Sequence, residues 1–285
     1  MIQINEVQPS PGASRPPVPM IFILGNSHSG STLLSFLLSA HPDVINLGEV
    51  KSKTWEKDRT CSCGQPSAQC HFYSTYLKDF NALKQAGLSK LRNTSPFSYL
   101  FRSSNSLDLK AKEAVQQLYN SIQSQILLHY PGARYWIDSS KSVWMLNAWM
   151  QVIDPEMIRI IWVKRARPAT VYSFMKRGHH FLSSLLSIWT NDKITQRFLQ
   201  KNKLPFLQVN FDDFYTHYPE VAREMSTYLN LDIPVSFASH HNHHVISGNR
   251  PTRLEFMNGF NGLRADVEWK STLSSWQKKV ITWMS

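Results

Sequence analysis

A strand, a loop bracketed by glycines and the start of a helix follow one another between residues 20 and 49, and this order constrains the fold more than any other feature. Residues 20–24 form a short apolar run, which is typical of a buried parallel strand. Gly25 and Gly30 bracket the loop GNSHSGST, whose last residue, Thr32, opens the helix-like run TLLSFLLSA. Backbone N–H groups and the positive end of a helix converge in such a loop, so the segment predicts an anion site.

The loop lacks one residue that nucleoside triphosphate sites require. ATPases and GTPases carry a lysine directly after the second glycine, where it reaches the β- and γ-phosphates, whereas this chain has Ser31. Because a Mg-nucleoside triphosphate needs that charge, the loop favours an anion held mainly by backbone N–H groups and hydroxyls. For this segment alone, a Ser/Gly-rich turn before a core helix is the alternative interpretation.

The length of the chain indicates its domain organisation, and its net charge indicates what kind of molecule it binds. With 285 residues the chain is long enough for one large α/β domain, which we predict over residues 20–285 after a flexible, proline-rich start over residues 1–19. The chain has 31 basic and 20 acidic residues, a net charge of +11, and therefore favours an anionic partner. The basic residues are dispersed and no nucleic-acid-binding module is recognisable, so we expect a small anionic molecule and no nucleic acid.

Hydropathy and cysteine content indicate the compartment. No apolar stretch is long enough to span a bilayer, and residues 1–19 lack the apolar centre of a signal peptide. Three cysteines are too few for a disulfide scaffold in a chain of this size, which agrees with a reducing compartment. We therefore expect a cytoplasmic protein with no membrane partner, and the oligomeric state stays open.

Apolar strand-like runs and helical patterns alternate along the rest of the chain, which predicts a doubly wound parallel sheet flanked by helices. The clearest later strand covers residues 158–163, and the basic sequence KRAR follows it directly. A short strand over residues 134–137 leads into the polar sequence DSSK. Polar and basic residues at the carboxyl ends of parallel strands are where such sheets bind ligands. A closing helix is predicted over residues 269–284.

Residues 51–130 are predicted to form a cap of loop and helix inserted into this domain. The loop part contains four soft metal ligands in an unfamiliar spacing, Cys61, Cys63, Cys70 and His71. A zinc site, a redox-labile disulfide and free thiols remain alternatives for them, and we expect no metal requirement. A second histidine-rich stretch lies in a predicted loop over residues 240–253 and contains His240, His241, His243 and His244. Without an aspartate or cysteine nearby in sequence, these histidines are expected to be solvated.

Five motifs occur in a fixed order along the chain: HSGSTLL, HPDVINLGE, IDSSKS, IWVKRARPATVYSFMKR and SGNRPTR, followed by a late WK. Together they resemble the sulfotransferases that use 3′-phosphoadenosine 5′-phosphosulfate (PAPS), and the resemblance covers most of residues 20–285. It implies the P-loop-like sulfotransferase fold, PAPS as the sulfuryl donor, 3′-phosphoadenosine 5′-phosphate (PAP) as the product, and no metal. The most similar branch is bacterial and acts on small molecules and secondary metabolites.

The resemblance also assigns donor-binding residues. The 5′-phosphosulfate would lie against the glycine loop, with Asn26, Ser27, His28, Ser29, Gly30, Ser31 and Thr32. Arg165 and Ser173 would clamp the 3′-phosphate, because Arg offers a forked, charge-assisted donor and Ser a hydroxyl. A late loop would close over the nucleotide with Gly248, Asn249, Arg250 and Arg253.

The same resemblance suggests catalytic residues. Glu49 is the candidate general base, matching the glutamate that protein-tyrosine and heparan-modifying members carry beyond the first helix. A salt bridge from Glu49 to Lys141 or Arg165 is the alternative, and both roles are compatible. His28 stands where many relatives carry Lys or Arg; if it is neutral, Lys141 becomes the candidate source of positive charge. For Lys141 the alternative is a solvated residue at a helix start. Two further histidines, His179 and His180, are predicted to line the acceptor pocket.

The predicted reaction is transfer of a sulfuryl group from PAPS to a hydroxyl, or to an amine or carbamoyl nitrogen, of a small molecule. No motif specifies the acceptor; the similar branch includes enzymes that sulfate saxitoxin-type guanidinium alkaloids, which gives one candidate. A small-molecule kinase with a degenerate phosphate loop is an alternative, disfavoured by Ser31 and by the missing acidic metal-binding strand end. A non-catalytic, basic nucleotide- or RNA-binding protein is the other alternative.

Overall fold

One parallel sheet forms the centre of the protein. The computed structural model describes residues 15–50, 60–74, 106–234, 243–258, 262 and 267–284. In this part of the chain five parallel strands pair in the order β2-β3-β1-β4-β5. The strands are β1 (Met20–Gly25), β2 (Val44–Asn46), β3 (Tyr135–Lys141), β4 (Ile158–Lys164) and β5 (Phe206–Asn210). The predicted α/β fold with a central parallel sheet is therefore confirmed.

Helices of different lengths surround the sheet. In chain order they are α1 (Ser31–Leu38), α2 (Leu109–His129), α3 (Val143–Trp149), α4 (Arg167–Met175), α5 (Phe181–Lys201), α6 (Asp213–Thr216), α7 (Tyr218–Leu229), α8 (Arg250–Met257), α9 (Trp269–Thr272) and α10 (Ser275–Trp283). A short 3₁₀ turn, Pro155–Met157, precedes β4. Within the described ranges, no helix combines the length and the apolar character that a membrane span requires.

Strands β1 and β4, at the centre of the sheet, are buried on both faces, which explains why they read as largely apolar runs. Side chains of β1 alternate between two hydrophobic cores: Phe22 packs in one and Ile21 and Ile23 pack in the other. Residues of α2, α3 and the second half of α5 join the core of Phe22. Residues of α1 and α7 join the opposite core. The helices thus form a layer on each side of the sheet.

The structure describes only part of the predicted cap. Residues 51–59 and 75–105 lie outside the described residues, as do residues 1–14 of the predicted flexible start. Of the described remainder, Cys61, Cys70, Phe72 and Tyr73 are buried in the same core as α2 and the sheet. The described part of the predicted cap therefore packs into the same hydrophobic core as the sheet.

Two local predictions near the carboxyl terminus need correction. The predicted loop over residues 240–253 ends early, because α8 begins at Arg250: the Asn249 side chain accepts from the N–H of Thr252 at 3.3 Å. The predicted closing helix is interrupted between α9 and α10. Ser274 and Gln277 form a reciprocal capping box there, which starts a new helix at Ser275.

The topology brings the ends of several strands together. Strand β1 lies at the centre of the sheet, with β3 and β2 on one side and β4 and β5 on the other. The strand order therefore reverses direction at β1. The crevice at such a switch point is the usual ligand site of an open α/β sheet. The strand β3 also runs farther than the predicted end at Ile137, to Lys141, with an irregularity that pairs Lys141 with Leu24. Lys141 consequently reaches the same edge as the glycine loop.

Candidate active site

A cavity of about 720 Å³ lies at the carboxyl edge of the sheet. Its walls come from the β1–α1 loop, from the segments that follow β2, β3, β4 and β5, and from α4 and α8. The lining includes Ser27, His28, Gly30, Ser31, Thr32, Glu49, Lys141, Arg165, Ser173, Arg177, Phe211, Tyr215, Gly248, Asn249 and Arg250. Most of the residues that the sequence singled out therefore meet in one place.

Gly30 determines the shape of the loop. Its φ of 93° is left-handed, and a Cβ at this position would lie 1.9 Å from Cδ2 of Phe211, so only glycine fits. Gly30 is also the N-cap of α1, and no side chain caps this helix. Ser31 and Thr32, in the first turn of α1, line the cavity, and N–H groups at such a helix start can donate to an anion.

Asn26 and Ser29 support the loop from behind and do not line the cavity. The Asn26 side chain donates to Asp192 Oδ1 at 2.8 Å and accepts from Asn191 Nδ2 at 2.9 Å. The Ser29 hydroxyl donates to the carbonyl of Asn26 at 2.8 Å and is 1% exposed. Of these two predicted donor-binding residues, Asn26 therefore anchors the loop to α5 and Ser29 braces the loop internally. No local pattern identified Asn191 or Asp192, because they lie far from the loop in sequence.

Arg165 follows the end of β4 and is held firmly at the cavity wall. One of its guanidinium nitrogens donates to the carbonyl of His28 at 2.9 Å, and the group lies over the Phe211 ring at 5.2 Å. Ser173, on α4, accepts at its hydroxyl from Arg177 at 3.0 Å. Arg177 was not among the predicted site residues, although it lies four residues after Ser173 and lines the cavity. Arg165, Ser173 and Arg177 together form a cationic wall with a hydroxyl.

Glu49 and Lys141 both line the cavity and form a salt bridge with each other. The Lys141 ammonium group donates to Glu49 Oε1, and the two side chains are 11% and 18% exposed, respectively. The salt bridge that the sequence offered as an alternative role for Glu49 is thus present. The Ser247 hydroxyl accepts from the N–H of Glu49 at 3.0 Å and donates to its carbonyl at 3.3 Å, which fixes the backbone at this position.

Asp138 holds the backbone next to both candidate catalytic residues, Glu49 and Lys141. It is completely buried in β3, and burial raises the pKa of its carboxyl group. Its oxygens accept from the N–H groups of Val50 and Ser140 at 3.2 and 2.9 Å and from the Trp149 indole at 2.8 Å. Val50 and Ser140 are the neighbours of Glu49 and Lys141. Lys141 itself adopts a left-handed φ of 64°, a strained conformation of the kind found at functional sites.

His28 is neutral at neutral pH. Its pKa is lowered to about 4, first by burial and then by the positive charges of Arg177, Lys141 and Arg165. The ring packs edge-on against Phe174 at 5.0 Å. Positive charge at the cavity must therefore come from Lys141 and the arginines, while His28 offers a neutral hydrogen-bonding group.

The late loop closes one side of the cavity. The N–H of Asn249 donates to Thr32 Oγ1 at 3.1 Å, and a Cβ at Gly248 would lie 2.8 Å from the same oxygen. Arg250 lines the cavity and is exposed. Arg253, in contrast, is 7% exposed and donates to the carbonyl of Val245 at 3.4 Å. The structure therefore places Arg253 behind the loop and outside the cavity lining.

The two histidines predicted to bind the acceptor do not line this cavity. Both are exposed in the segment between α4 and α5. His179 packs against Phe174 with ring centroids 5.4 Å apart. His180 directly precedes α5, and its carbonyl accepts from the hydroxyls of Ser183 and Ser184 at 2.9 and 2.8 Å. Their role toward an acceptor remains a prediction.

The histidine-rich stretch that contains His243 and His244 differs from its prediction as a solvated loop. His244 is 1% exposed and lies beside Cys61 and Cys70, so the expectation of a solvated side chain is wrong. His71, the predicted companion of the cysteines, is exposed. The cluster therefore comprises Cys61, Cys63, Cys70 and His244. The stretch has one further described member, His243, which packs edge-on against Phe36, while His240 and His241 lie outside the described residues.

Comparisons with known proteins agree with this architecture. A profile of the sulfotransferase family matches residues 19–234. The sulfotransferase domain of the Synechococcus PCC 7002 olefin synthase is 18% identical, with a TM-score of 0.50 over 96% of each chain. The sulfotransferase domain from the curacin biosynthetic pathway is also 18% identical, with a TM-score of 0.54 over 95% of this chain and 98% of that one. A search of curated proteins gives no match. The two solved structures share the fold, and the profile match shows that this chain belongs to the sulfotransferase family.

Proposed function

We propose that the protein transfers a sulfuryl group from PAPS to a hydroxyl, or to an amine or carbamoyl nitrogen, of a small molecule. The observation that carries this proposal is the meeting of three features in one cavity: an uncapped helix start, a cationic wall and a carboxylate paired with lysine. Family membership supports sulfuryl transfer as the reaction. The donor, the base and the acceptor are the parts proposed here.

The cavity suits a donor with two anionic ends. PAPS supplies an activated sulfuryl group on its 5′-phosphate and carries a second phosphate at the 3′ position. The N–H groups at the start of α1, with the hydroxyls of Ser31 and Thr32, would hold the 5′ end. Arg165 and Ser173 would hold the 3′-phosphate, and Arg177 adds charge to the same wall. Because the loop has no lysine, backbone donors carry much of this binding.

Glu49 is the proposed general base. Its carboxylate lines the cavity and would accept the proton of the acceptor hydroxyl or amine as the new bond to sulfur forms. Lys141 lines the same cavity, so its ammonium group would share its charge between Glu49 and the leaving phosphate. Such transfers depend on placement and on electrostatic stabilisation of the leaving group. His28, being neutral, would contribute a hydrogen bond.

We further propose a cytoplasmic enzyme of secondary metabolism that has no nucleic-acid or membrane partner. The fold likeness to sulfotransferase domains of the curacin pathway and of an olefin synthase supports a biosynthetic small molecule as acceptor. A saxitoxin-type alkaloid is one candidate. A panel of alcohols, amines and carbamates, assayed by PAP release from PAPS, tests the acceptor class directly.

The decisive variant is Glu49→Gln, which keeps a hydrogen-bond acceptor for Lys141 but removes the base. Turnover should fall about 10³-fold, within the range for loss of a general base, while PAP affinity stays within about twofold. Glu255→Gln is the matched control, since Glu255 lines the same cavity from α8. Unchanged turnover in Glu49→Gln would remove Glu49 as the base.

Binding measurements test the donor separately from the base. PAP should bind without Mg²⁺, because the proposed site uses backbone donors and arginines. Calorimetric titration with PAP and with Mg-ATP compares the two ligands on one sample. Equal or tighter binding of Mg-ATP would favour the kinase alternative over a PAPS-dependent enzyme.

A further inference from the structure

The three cysteines of the chain meet one buried histidine at a place separate from the cavity at the carboxyl edge of the sheet, which is the proposed donor cavity. The Sγ atoms of Cys61, Cys63 and Cys70 and a ring nitrogen of His244 all lie within 4.8 Å of one another. His244 Nδ1 is 3.2 Å from Cys70 Sγ and 3.8 Å from Cys61 Sγ, and the sulfurs of Cys63 and Cys70 are 3.7 Å apart. None of the four residues lines the donor cavity.

We propose that this Cys₃His cluster, formed by Cys61, Cys63, Cys70 and His244, binds one zinc ion. Three thiolates and one imidazole form a complete tetrahedral ligand set for zinc, and soft sulfur ligands disfavour magnesium and calcium. With Zn–S bonds of about 2.3 Å and a Zn–N bond of about 2.0 Å, tetrahedral ligand atoms lie roughly 3.5–3.8 Å apart. The Cys63–Cys70 separation of 3.7 Å already has this value. The two sulfur–nitrogen separations to His244, 3.8 Å from Cys61 and 3.2 Å from Cys70, lie on either side of the roughly 3.5 Å expected between sulfur and nitrogen.

The orientation of His244 supports a ligand role. Its Nδ1 faces the sulfurs, while its Nε2 forms a hydrogen bond with the hydroxyl of Tyr130. Histidines that bind metals usually make such a second hydrogen bond, which fixes the ring and the tautomer. The ring also stacks on Phe72, with centroids 5.2 Å apart and planes 13° from parallel. His244 is therefore held in one orientation by its surroundings.

The loop that carries the cysteines is folded around them. The N–H of Gly64 donates to the carbonyl of Cys61 at 2.9 Å, closing a tight turn, and Gly64 has a left-handed φ of 88°. The N–H of Cys70 donates to the carbonyl of Pro66 at 2.9 Å. These backbone bonds keep Cys61, Cys63 and Cys70 within reach of one ion. A disulfide would use only two of the three sulfurs and would not use the His244 nitrogen that faces them.

With all four ligand positions filled by protein, the ion would be structural. It would tie residues 60–74 to the segments that shape the donor cavity. The N–H of His244 donates to the carbonyl of Asn46 at 2.7 Å, and the Tyr73 hydroxyl donates to the carbonyl of Leu47 at 3.0 Å. Both carbonyls lie just before Glu49. The zinc proposal does not rest on the identity of the donor or of the acceptor.

Metal content of the untagged protein is the first test. We expect one zinc per chain by elemental mass spectrometry. Because the chain has three cysteines and all belong to the cluster, a thiol titration reports on this site alone. The thiols should resist modification until a chelator removes the metal, and cobalt substitution should give the visible absorption bands of tetrahedral thiolate coordination.

Variants test which histidine is the ligand. Cys70→Ser and His244→Ala should lose zinc, whereas His71→Ala, the matched control at the exposed neighbour, should keep a full equivalent. His244→Cys, which offers a fourth thiolate, should restore binding. Zinc loss in His71→Ala with retention in His244→Ala would overturn the assignment. Wild-type protein that contains no zinc as purified, takes up none when zinc is added and has thiols that react freely would overturn the site itself.

Discussion

The donor cavity and the Cys₃His cluster place their binding groups in different ways. In the cavity, the groups proposed to hold the 5′ end of the donor include backbone N–H groups, and their directions follow from the local conformation of the β1–α1 loop. In the cluster, the proposed ligands are side chains, and Cys70 and His244 are 174 residues apart. A site built from backbone depends on a few dihedral angles, whereas a site built from side chains depends on the packing that brings distant segments together.

The two regions meet at one pair of adjacent segments. Residues 46–49 and 243–249 run side by side, with His244 bonded to Asn46 at one end and Ser247 bonded to Glu49 at the other. The first contact belongs to the cluster and the second to the cavity. Changes confined to one region therefore test how independent the two regions are.

The largest effect on stability and on PAP binding is expected from Gly30→Ala, which changes the backbone of the β1–α1 loop. The added Cβ would lie 1.9 Å from the Phe211 ring, at a left-handed φ of 93°. We expect the free energy of unfolding to fall by about 2–4 kcal/mol, from strain and overpacking, and PAP binding to be lost. Urea unfolding and calorimetry with PAP measure the two effects.

Gly178→Ala is the control for the conformational part of that loss. Gly178 has a similar φ of 85°, but an added Cβ would contact nothing within 4 Å. Its cost should therefore be limited to about 1–2 kcal/mol of backbone strain, with PAP binding retained. Equal losses of binding in the two variants would contradict the role of the Gly30–Phe211 contact.

The next largest effect on PAP binding is expected from Arg165→Lys, which keeps the positive charge but removes the planar guanidinium group with its paired N–H donors. A lysine cannot both donate to the carbonyl of His28 and present two parallel donors to a phosphate. We expect the dissociation constant of PAP to rise about 10- to 100-fold, as for loss of a charge-assisted bidentate contact. Arg159→Lys, at the other end of the same strand, should change it by less than about twofold. Equal affinities for wild type and Arg165→Lys would remove Arg165 from the donor clamp.

The same contrast separates what the sequence predicted from what it did not. The loop from Gly25 to Thr32 and the strand before Arg165 were recognisable because glycine spacing and apolar runs are local patterns. The extension of β3 to Lys141 was not, because Asp138 and its polar neighbours are buried in a strand, against the usual preference. Their burial is possible only because N–H groups of other segments satisfy the carboxylate.

Long-range contacts account for the remaining differences. The sequence pointed to Cys61, Cys63 and Cys70 as possible ligands but paired them with the adjacent His71. Only the packing of residues 243–249 along β2 brings His244 into the cluster. In the same way, Asn191 and Asp192 support the donor loop from a helix that carries no motif. Spacing along the chain contains no information about such partners.

A moderate effect is expected from Ser247→Ala, at the contact between the two regions. The Glu49 N–H would lose its acceptor, which should cost about 1–3 kcal/mol of stability and lower kcat about tenfold by loosening Glu49. Zinc content should not change. Ser226→Ala is the matched control, since Ser226 also accepts from one N–H and donates to one carbonyl, far from the cavity. A fall in kcat as large in Ser226→Ala would assign the loss to general destabilisation.

The smallest effect is expected on the acid dependence of stability, where the difference between wild type and a His28 variant isolates the contribution of this one cavity residue. The pKa of His28 is lowered from 6.5 to about 4 on folding, so between these values the unfolded chain binds a proton that the folded chain does not. This contribution to stability is complete above pH 6.5 and is lost as the pH falls toward 4. His28→Asn should weaken the decline, since Asn tolerates the left-handed φ of 66° at this position. Urea unfolding across this pH window, with His179→Asn as the control for loss of an exposed imidazole, measures the change. An unaltered decline in His28→Asn would show that the cavity does not hold this histidine neutral.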